Sequence, residues 1–472
     1  RRSMPTYTCT CIRMYVCAHS HRDDSNTQQQ GHAGQERDRE WHPSAHAHTH
    51  TLPPRFMSMS GSSSQRLIGR CSTSGPPRFR TFLHNTICDV MLSRGWKETD
   101  SETEWDFFWA DVHWMRECFD HIHFDEGQRI NHFRNHFEMT RKDLLNKNLK
   151  RIRKQLQRED KREEAEKYAF SPTTYNVPSE YTLFVEEFKR HPKSVWIMKP
   201  IGKAQGKGIF LFNKLNQISE WKRDYRWRTE GQQAENYVVQ RYVENPYLVG
   251  GKKFDLRLYL LVTSYSPLTA YLYRGGFARF SFHRFSMEEG DIDNTYIHLT
   301  NVAIQKGGEK YDREKGCKWN IRNLKLYMVS KHGLEVVNQL FEDIKDMMIR
   351  TLLSVQKIMI NDKHCFELYG YDILIDQDFK PWLLEVNASP SLSAETKDDY
   401  DRKFSMLEDV INIIELEKKN GGPEQEQVGG FDLIVKQGHN VHPDKNSLVT
   451  TSLGCLSAKE KQLRRFVRRR KR

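Results

Sequence analysis

Apolar positions along the chain group into short runs and one long periodic stretch. Val195-Trp196-Ile197-Met198 is an unbroken apolar run closed by Lys199-Pro200, and Ile209-Phe210-Leu211-Phe212 is a second run. Between them lies the Gly/Lys-rich Gly202-Lys203-Ala204-Gln205-Gly206-Lys207-Gly208, so the pattern predicts strand, turn, strand. A short helix around 216–224 then leads to a strand over Tyr237–Val243. From Lys253 to Val262 apolar Phe254, Leu256 and Leu258 alternate with Asp255, Arg257 and Tyr259, which puts Asp255 and Arg257 on one face of a strand. Residues 268–282 predict a hairpin turning at Gly275-Gly276. Over 321–359, Leu334, Val337, Phe341, Ile344, Met348, Leu352 and Val355 recur at steps of three and four, the mark of an amphipathic helix. Two further strands, Tyr371–Asp376 and Trp382–Asn387, are joined by the turn Gln377-Asp378-Phe379-Lys380. Upstream, the crowded rings Trp96, Trp105, Phe107, Phe108, Trp109 and Trp114 predict a small α/β unit. Residues 141–167 are charged and helix-prone, with Pro172 and Pro178 beyond them. Strands interleaved with helices, with antiparallel hairpins among them, place the chain in the α+β class.

Charge changes this picture mainly at the ends. The 472 residues carry 74 Lys+Arg and 62 Asp+Glu, a net +12. Residues 1–80 hold +6 and 459–472 hold +8, which leaves 81–458 at −2. The near-neutral body, without an RRM, KH or zinc module, argues against a nucleic-acid binder. No run of about 18 apolar residues occurs, so no membrane span is expected, and no apolar segment follows the basic start, so no secretory leader is expected. Nine cysteines, widely spaced in the body, fit neither a disulfide framework nor a CxxC zinc pattern. Ala45-His46-Ala47-His48-Thr49-His50-Thr51 and Val16-Cys17-Ala18-His19 are what a CA/TG repeat encodes. We therefore expect residues 1–56 to be mistranslated, with a start at Met57 or Met59, and 1–78 as a whole to be a disordered extension.

Four features carry candidate chemistry. Lys199 ends a buried strand just before the glycine-rich turn, where backbone N–H groups and lysines can meet phosphate; no GKS or GKT opens a helix, so this is no Walker A loop. Asp372, Glu385 and Asn387 offer only oxygen ligands, and Glu385 and Asn387 share one strand face. Such a set suits a hard cation like Mg²⁺. Arg257 and Arg279 are isolated cations in apolar β sequence; each can hold a phosphate or carboxylate, or an internal partner such as Asp255. Ile297-His298-Leu299-Thr300-Asn301 adds neutral donors and acceptors. No GxSxG, HExxH or Cys/His nucleophile arrangement is present, so a covalent enzyme intermediate is not supported.

The runs Trp196-Ile197-Met198-Lys199-Pro200, Gln205-Gly206-Lys207-Gly208-Ile209, Lys253-Phe254-Asp255-Leu256-Arg257, His298-Leu299-Thr300-Asn301 and Glu385-Val386-Asn387-Ala388-Ser389-Pro390 resemble the tubulin tyrosine ligase-like family, in its polyglutamylase branch. The similarity covers about 80–455 in order. It implies an ATP-grasp-type, two-lobed nucleotide site, with the N-terminal unit and basic helix in 79–180, the lobes in 181–415, and a C-terminal extension with a basic tail in 416–472. It further implies ATP and Mg²⁺ as cofactors. Lys199, Gln205 and Gly206 would contact phosphates, with Gln240, Arg241, Tyr242 and Val243 as the adenine-side hinge. Lys253, Phe254, Asp255, Thr300 and Asn301 would lie nearby. Asp372, Glu385 and Asn387 would hold the metal. Arg279, Lys318 and Asn387 would bind incoming glutamate, and Arg257 would face phosphate and acceptor, which makes Arg257, Lys199 and Glu385 the catalytic group. The implied reaction is ATP-dependent ligation of free L-glutamate to glutamate side chains of tubulin tails, with 141–154 and 459–472 as basic docking segments. Accessory subunits and a cytoplasmic, cytoskeletal place at the ciliary or flagellar axoneme and basal body are implied as well. The alternatives are a non-enzymatic or partner-dependent microtubule subunit, and a glycine ligase of the same family.

Overall fold

A computed structural model describes residues 75–218, 236–308, 317–394, 396–414, 416–417, 425–441 and 451–455. The expectations for 1–56, for most of 1–78, for the later part of the 216–224 helix and for the tail 459–472 fall outside these residues.

The N-terminal unit is a four-stranded parallel sheet in the order β2-β1-β3-β4, built from β1 (Arg78–Thr81), β2 (Lys97–Glu98), β3 (Phe107–Trp109) and β4 (Arg129–Ile130). Helix α1 (Thr86–Ser93) starts at Asn85, whose side chain accepts from the Ile87 N–H, and α2 (Val112–Glu117) is capped in the same way by Asp111. The expected rings Trp96, Trp105, Phe107, Phe108, Trp109 and Trp114 are all buried.

Beyond a single turn, α3 (Phe137–Thr140), the basic stretch forms α4 (Lys142–Arg158) and α5 (Arg162–Glu166), broken where Asp160 takes φ 56°. Strand β5 (Thr174–Val177), helix α6 (Tyr181–Arg190) and strands β6 (Trp196–Pro200), β7 (Phe210–Phe212) and β8 (Tyr237–Arg241) make a small antiparallel sheet ordered β5-β8-β6-β7. Phe184 of α6 meets Trp196 edge to face at 5.2 Å, with Phe212 and Val239 in the same core.

The large sheet runs β13-β12-β9-β10-β15-β14, with two short flanking strands. Its members are β9 (Phe254–Tyr265), β10 (Leu268–Phe280), β11 (Lys318–Asn320), β12 (Glu367–Ile375), β13 (Pro381–Asn387), β14 (Gln427–Val428), β15 (Phe431–Lys436) and β16 (His439–Asn440). On one face Leu256, Leu258, Leu260 and Val262 pack against Phe341, Ile344, Met348 and Leu352. On the other, Tyr259 and Leu261 join Phe107, Trp109, Leu407 and Val410 in a second core.

Two expectations are corrected. Gly275-Gly276 is no turn: β10 continues through it, and the β9–β10 hairpin turns at Ser266-Pro267. The glycines serve a bulge in which Gly276 takes φ 153° and a Cβ would stand 2.6 Å from the Arg257 carbonyl oxygen. The helical region expected over 321–359 is present as two helices, Ile321–His332 and Leu334–Val355, separated at Gly333 with φ 89°, and the second holds the whole periodic set from Leu334 to Val355. Finally, residues 431–436, placed by the sequence reading in a C-terminal extension, are a strand of the large sheet paired with β10.

Candidate active site

A cleft open to solvent lies between the small sheet and the large one. Its floor on the small-sheet side is the end of β6. The Lys199 ammonium donates to Gln240 Oε1 at 2.7 Å, and the Gln240 amide is turned by its own bond to Thr174 Oγ1 at 2.8 Å. Burial pulls Lys199 down to about 8, partly offset by Glu385. The following turn is tight: Gln205, Gly206 and Gly208 all have positive φ, and a Cβ on Gly206 would stand 2.5 Å from Ile304 Cδ1. Glycine is required there, which brings backbone close to whatever occupies the cleft.

Across the cleft, Lys253 donates to the Tyr242 hydroxyl at 2.7 Å and the His298 carbonyl at 2.8 Å. Tyr242 O–H in turn reaches His298 Nδ1 at 3.0 Å, and His298 Nε2 lies 3.0 Å from the Asp291 carbonyl. The consistent assignment has Tyr242 donating to Nδ1 and Nε2–H donating to Asp291. Burial brings Lys253 to about 7, while burial and the Lys253 ammonium bring His298 to about 4.

The polar face of β9 supplies a buried charge network. Arg257 binds both oxygens of Asp372, and Arg279 reaches Asp255 Oδ1 at 2.8 Å and Asp372 Oδ2 at 2.8 Å. Burial alone would raise the Asp372 carboxyl; the two guanidinium groups overcome this and hold it well below the usual carboxylate range. The internal partner of Arg257 is therefore Asp372, and Asp255 belongs to Arg279. Strand register explains the grouping: Asp372 faces Arg257 on one side and Glu385 on the other, and Gly370 faces Asn387. Asn387 Nδ2 donates to the Gly370 carbonyl at 3.3 Å.

Thirteen of the candidate residues line the cleft: Lys199, Gln205, Gly206, Gln240, Arg241, Tyr242, Val243, Lys253, Asp255, Thr300, Asn301, Asp372 and Glu385. Arg257 and Arg279 adjoin it through Asp372, and Asn387 adjoins it through the strand pair. Phe254 is corrected: strand alternation turns its ring to the opposite face, where it packs on Phe280 at 5.2 Å. Lys318 stands opposite Arg279 across the strand pair, but bonds Asp399 at 3.0 Å. Among the lining residues that the sequence does not single out is a cation. Lys142, at the start of α4, places its ammonium 3.3 Å from Glu385 Oε2 and 3.4 Å from the Lys203 carbonyl. Nothing in a run of lysines and arginines marks out that one.

Lining cations Lys142, Lys199, Lys203, Arg241 and Lys253 outnumber the carboxylates Asp255, Asp372 and Glu385, so the cleft suits an anion. The apolar Ile197, Ile209, Leu374 and Leu384 give it a dry wall for a flat ring. Asp372 and Glu385 are oxygen donors of the kind that suits a hard divalent cation, which at Asp372 would have to share or displace the Arg257 and Arg279 guanidinium groups.

The sequence is similar to known proteins. The profile of the tubulin-tyrosine ligase family matches residues 121–421. A cattle protein described as probable tubulin polyglutamylase TTLL9 is 51% identical over 428 residues, covering 83% of this chain and 92% of its own. The worm Caenorhabditis elegans has a probable tubulin polyglutamylase, ttll-9, 48% identical over 80% of this chain and 90% of its own. A probable alpha-tubulin polyglutamylase, Ttll1, of Tetrahymena thermophila is 44% identical over 74% of this chain and 90% of its own. By profile match and by identity over most of its length, the chain belongs to the tubulin-tyrosine ligase family.

Proposed function

We propose that this chain is an ATP- and Mg²⁺-dependent tubulin polyglutamylase, joining free L-glutamate to glutamate side chains of tubulin C-terminal tails. The family membership and the descriptions of the relatives support the substrate. The observation that carries the chemistry is one cleft holding buried Lys199 and Lys253 against the Asp372–Glu385 pair, with Arg257 and Arg279 at its edge.

When bound, ATP supplies the phosphoryl group that turns a carboxylate into an acyl phosphate, and Mg²⁺ supplies charge neutralisation there. The protein supplies position and field. Lys199, Lys253 and the Gln205-Gly206 backbone hold phosphate. Asp372, Glu385 and Asn387 would hold the metal. Arg257, fixed by Asp372, faces the acceptor carboxylate. Arg279, Lys318 and Asn387 receive the incoming amino acid; Lys318 would exchange the Asp399 carboxylate for that of the substrate. The amine of glutamate then attacks the activated carbonyl and expels phosphate, leaving an isopeptide bond. A cytoskeletal, ciliary location and accessory subunits belong to the same proposal.

The test is labelled-glutamate incorporation into microtubules with ATP and Mg²⁺, comparing the parent with Glu385→Gln. The parent should incorporate label, and the variant should lose about 10²-fold or more in rate. Equal rates, or incorporation without ATP, would sink the assignment; labelled glycine in place of glutamate would redirect it to the glycine-ligase alternative.

A further inference from the structure

Close to the strand that carries Glu385 and Asn387 lies a second buried polar cluster. Glu367, the first residue of β12, and His132, between β4 and α3, are fully buried. His132 Nδ1 lies 2.6 Å from Glu367 Oε1, and the Phe133 N–H donates to Glu367 Oε2 at 2.9 Å. On the other side of the ring, His132 Nε2 is 3.1 Å from Asn131 Nδ2 and 3.2 Å from Ser389 Oγ. The Asn131 amide is oriented by Ala110, whose N–H donates to Oδ1 and whose carbonyl accepts from Nδ2. An amide nitrogen can only donate. His132 Nε2 is therefore an acceptor whose single lone pair is shared by the Asn131 amide and the Ser389 hydroxyl, and Nδ1 carries the proton to Glu367.

Ser389 is exposed and stands two residues past Asn387. Its loop has two more attachments. Thr86 of α1 donates to the Leu392 carbonyl at 2.9 Å. Pro390 sits so tightly on Gly370 that a Cβ there would be 2.9 Å from Pro390 Cβ and 3.3 Å from Arg257 Cδ. Two of the three attachments, His132 and Thr86, come from the N-terminal unit. His132, His136 and Glu367 also offer three ligand atoms within 4.8 Å of one another. Both ring nitrogens of His132 and both oxygens of Glu367 already have protein partners, which a metal ion would have to displace.

We propose that Glu367–His132–Ser389 is a positioning chain by which the N-terminal α/β unit sets the loop that follows Asn387 at the end of β13, and with it the amino-acid subsite of the ligase. The consequence for the subsite rests on the ligase reading; the tether itself does not. His132 touches no substrate and acts through Ser389. The imidazole is needed because one ring must donate to a buried carboxylate and accept from a hydroxyl on its opposite edge.

The test uses the full chain and three variants. Ser389→Ala removes only an exposed hydroxyl and should fold normally; Ser389→Thr keeps the hydroxyl; His132→Asn keeps the donor to Glu367 and loses the acceptor. Hydrogen exchange of the peptide spanning Asn387–Leu392 should quicken about five- to tenfold in Ser389→Ala and His132→Asn, the scale of one lost hydrogen bond, and recover in Ser389→Thr. In ligation assays, KM for glutamate should rise about as much in the two impaired variants, with KM for ATP unchanged and kcat within about twofold. Loop exchange that ignores both variants overturns the proposal, as does a tightly held metal ion that the parent carries and His132→Asn loses. A parent that incorporates no glutamate defeats the ligase reading alone, because the exchange measurement still decides the tether.

Discussion

Lys199 and Lys253 are both brought toward neutrality by burial, to about 8 and about 7. Near pH 8 these two lysines thus carry less than their full positive charge. A polyphosphate laid against the two ammonium groups would restore it, so nucleotide binding at pH 8 should take up protons, up to about 1.4. Affinity should fall as pH rises from 7 to 9. The sign for the ligand-free fold is opposite: both folded values lie below the ordinary lysine value, so the unfolded chain binds more protons between about pH 7 and 10.5. Stability should therefore rise through that window. Calorimetry of ATP binding in two buffers of different ionisation heat reads the uptake directly, and Lys199→Met should reduce it. Heats independent of buffer would show that the lysines stay charged. Lys199 was legible because it ends an apolar run before glycines. Lys142 was not, because its position depends on where a helix starts relative to a distant strand. Phe254 was misplaced by following a contiguous motif where strand alternation sends neighbours to opposite faces.

Helix α4 combines two tasks on different faces. Leu145, Asn146, Asn148 and Leu149 are buried, and Lys142 enters the cleft. Lys147, Lys154 and Arg158 are exposed at steps of seven and four, so they share a side of the helix; Arg151, also on it, donates to the Ser354 carbonyl. This stripe fits an acidic polypeptide tail. Reversing Lys147, Lys154 and Arg158 to Glu should raise KM for microtubules about tenfold and flatten its salt dependence, with KM for ATP unchanged. A KM for microtubules that stays put would remove α4 from the docking surface. The same helix shows why elements were legible and roles were not. The pattern of apolar runs and charge indicated α4 and the strands β6, β8, β12 and β13, although the stretch expected over 141–167 breaks at Asp160 and β12 begins at Glu367 rather than Tyr371. It could not separate a cation facing solvent from one facing the cleft. Nor could it tell a glycine that turns a chain from Gly276, which bends β10 where Arg257 backs onto it.

The large sheet is closed by a segment remote in sequence from its neighbours. Strand β15 pairs with β10 through Ala270–Tyr273, and buries Phe431, Leu433, Ile434 and Val435. At about 1.5–3 kcal/mol for each buried large apolar side chain, these four contribute roughly 6–12 kcal/mol, an upper figure because the unfolded chain already buries some surface. That is comparable with the whole stability of a domain, about 5–15 kcal/mol. Past β15, the chain returns so that the Leu453 carbonyl accepts from the buried Lys325 ammonium at 2.7 Å, and Gly454 N–H donates to the Arg274 carbonyl at 2.8 Å. Without that carbonyl, Lys325 would be a buried cation short of an acceptor. A chain ending at residue 415 should therefore lose the fold: β10 would become a bare edge with the Tyr273 ring uncovered, and the protein should aggregate on expression. A chain ending at Cys455 should keep its melting temperature within about 3 °C of the parent. A soluble, cooperatively melting protein ending at 415 would mean that β15 is an accessory and that the ligase body stands without it. Sequence distance hid this, since β15 alone reads as a short apolar run after a break in pattern. Only the pairing with β10, on the strand that carries Arg279 toward Asp372, shows that the C-terminal segment backs the active site.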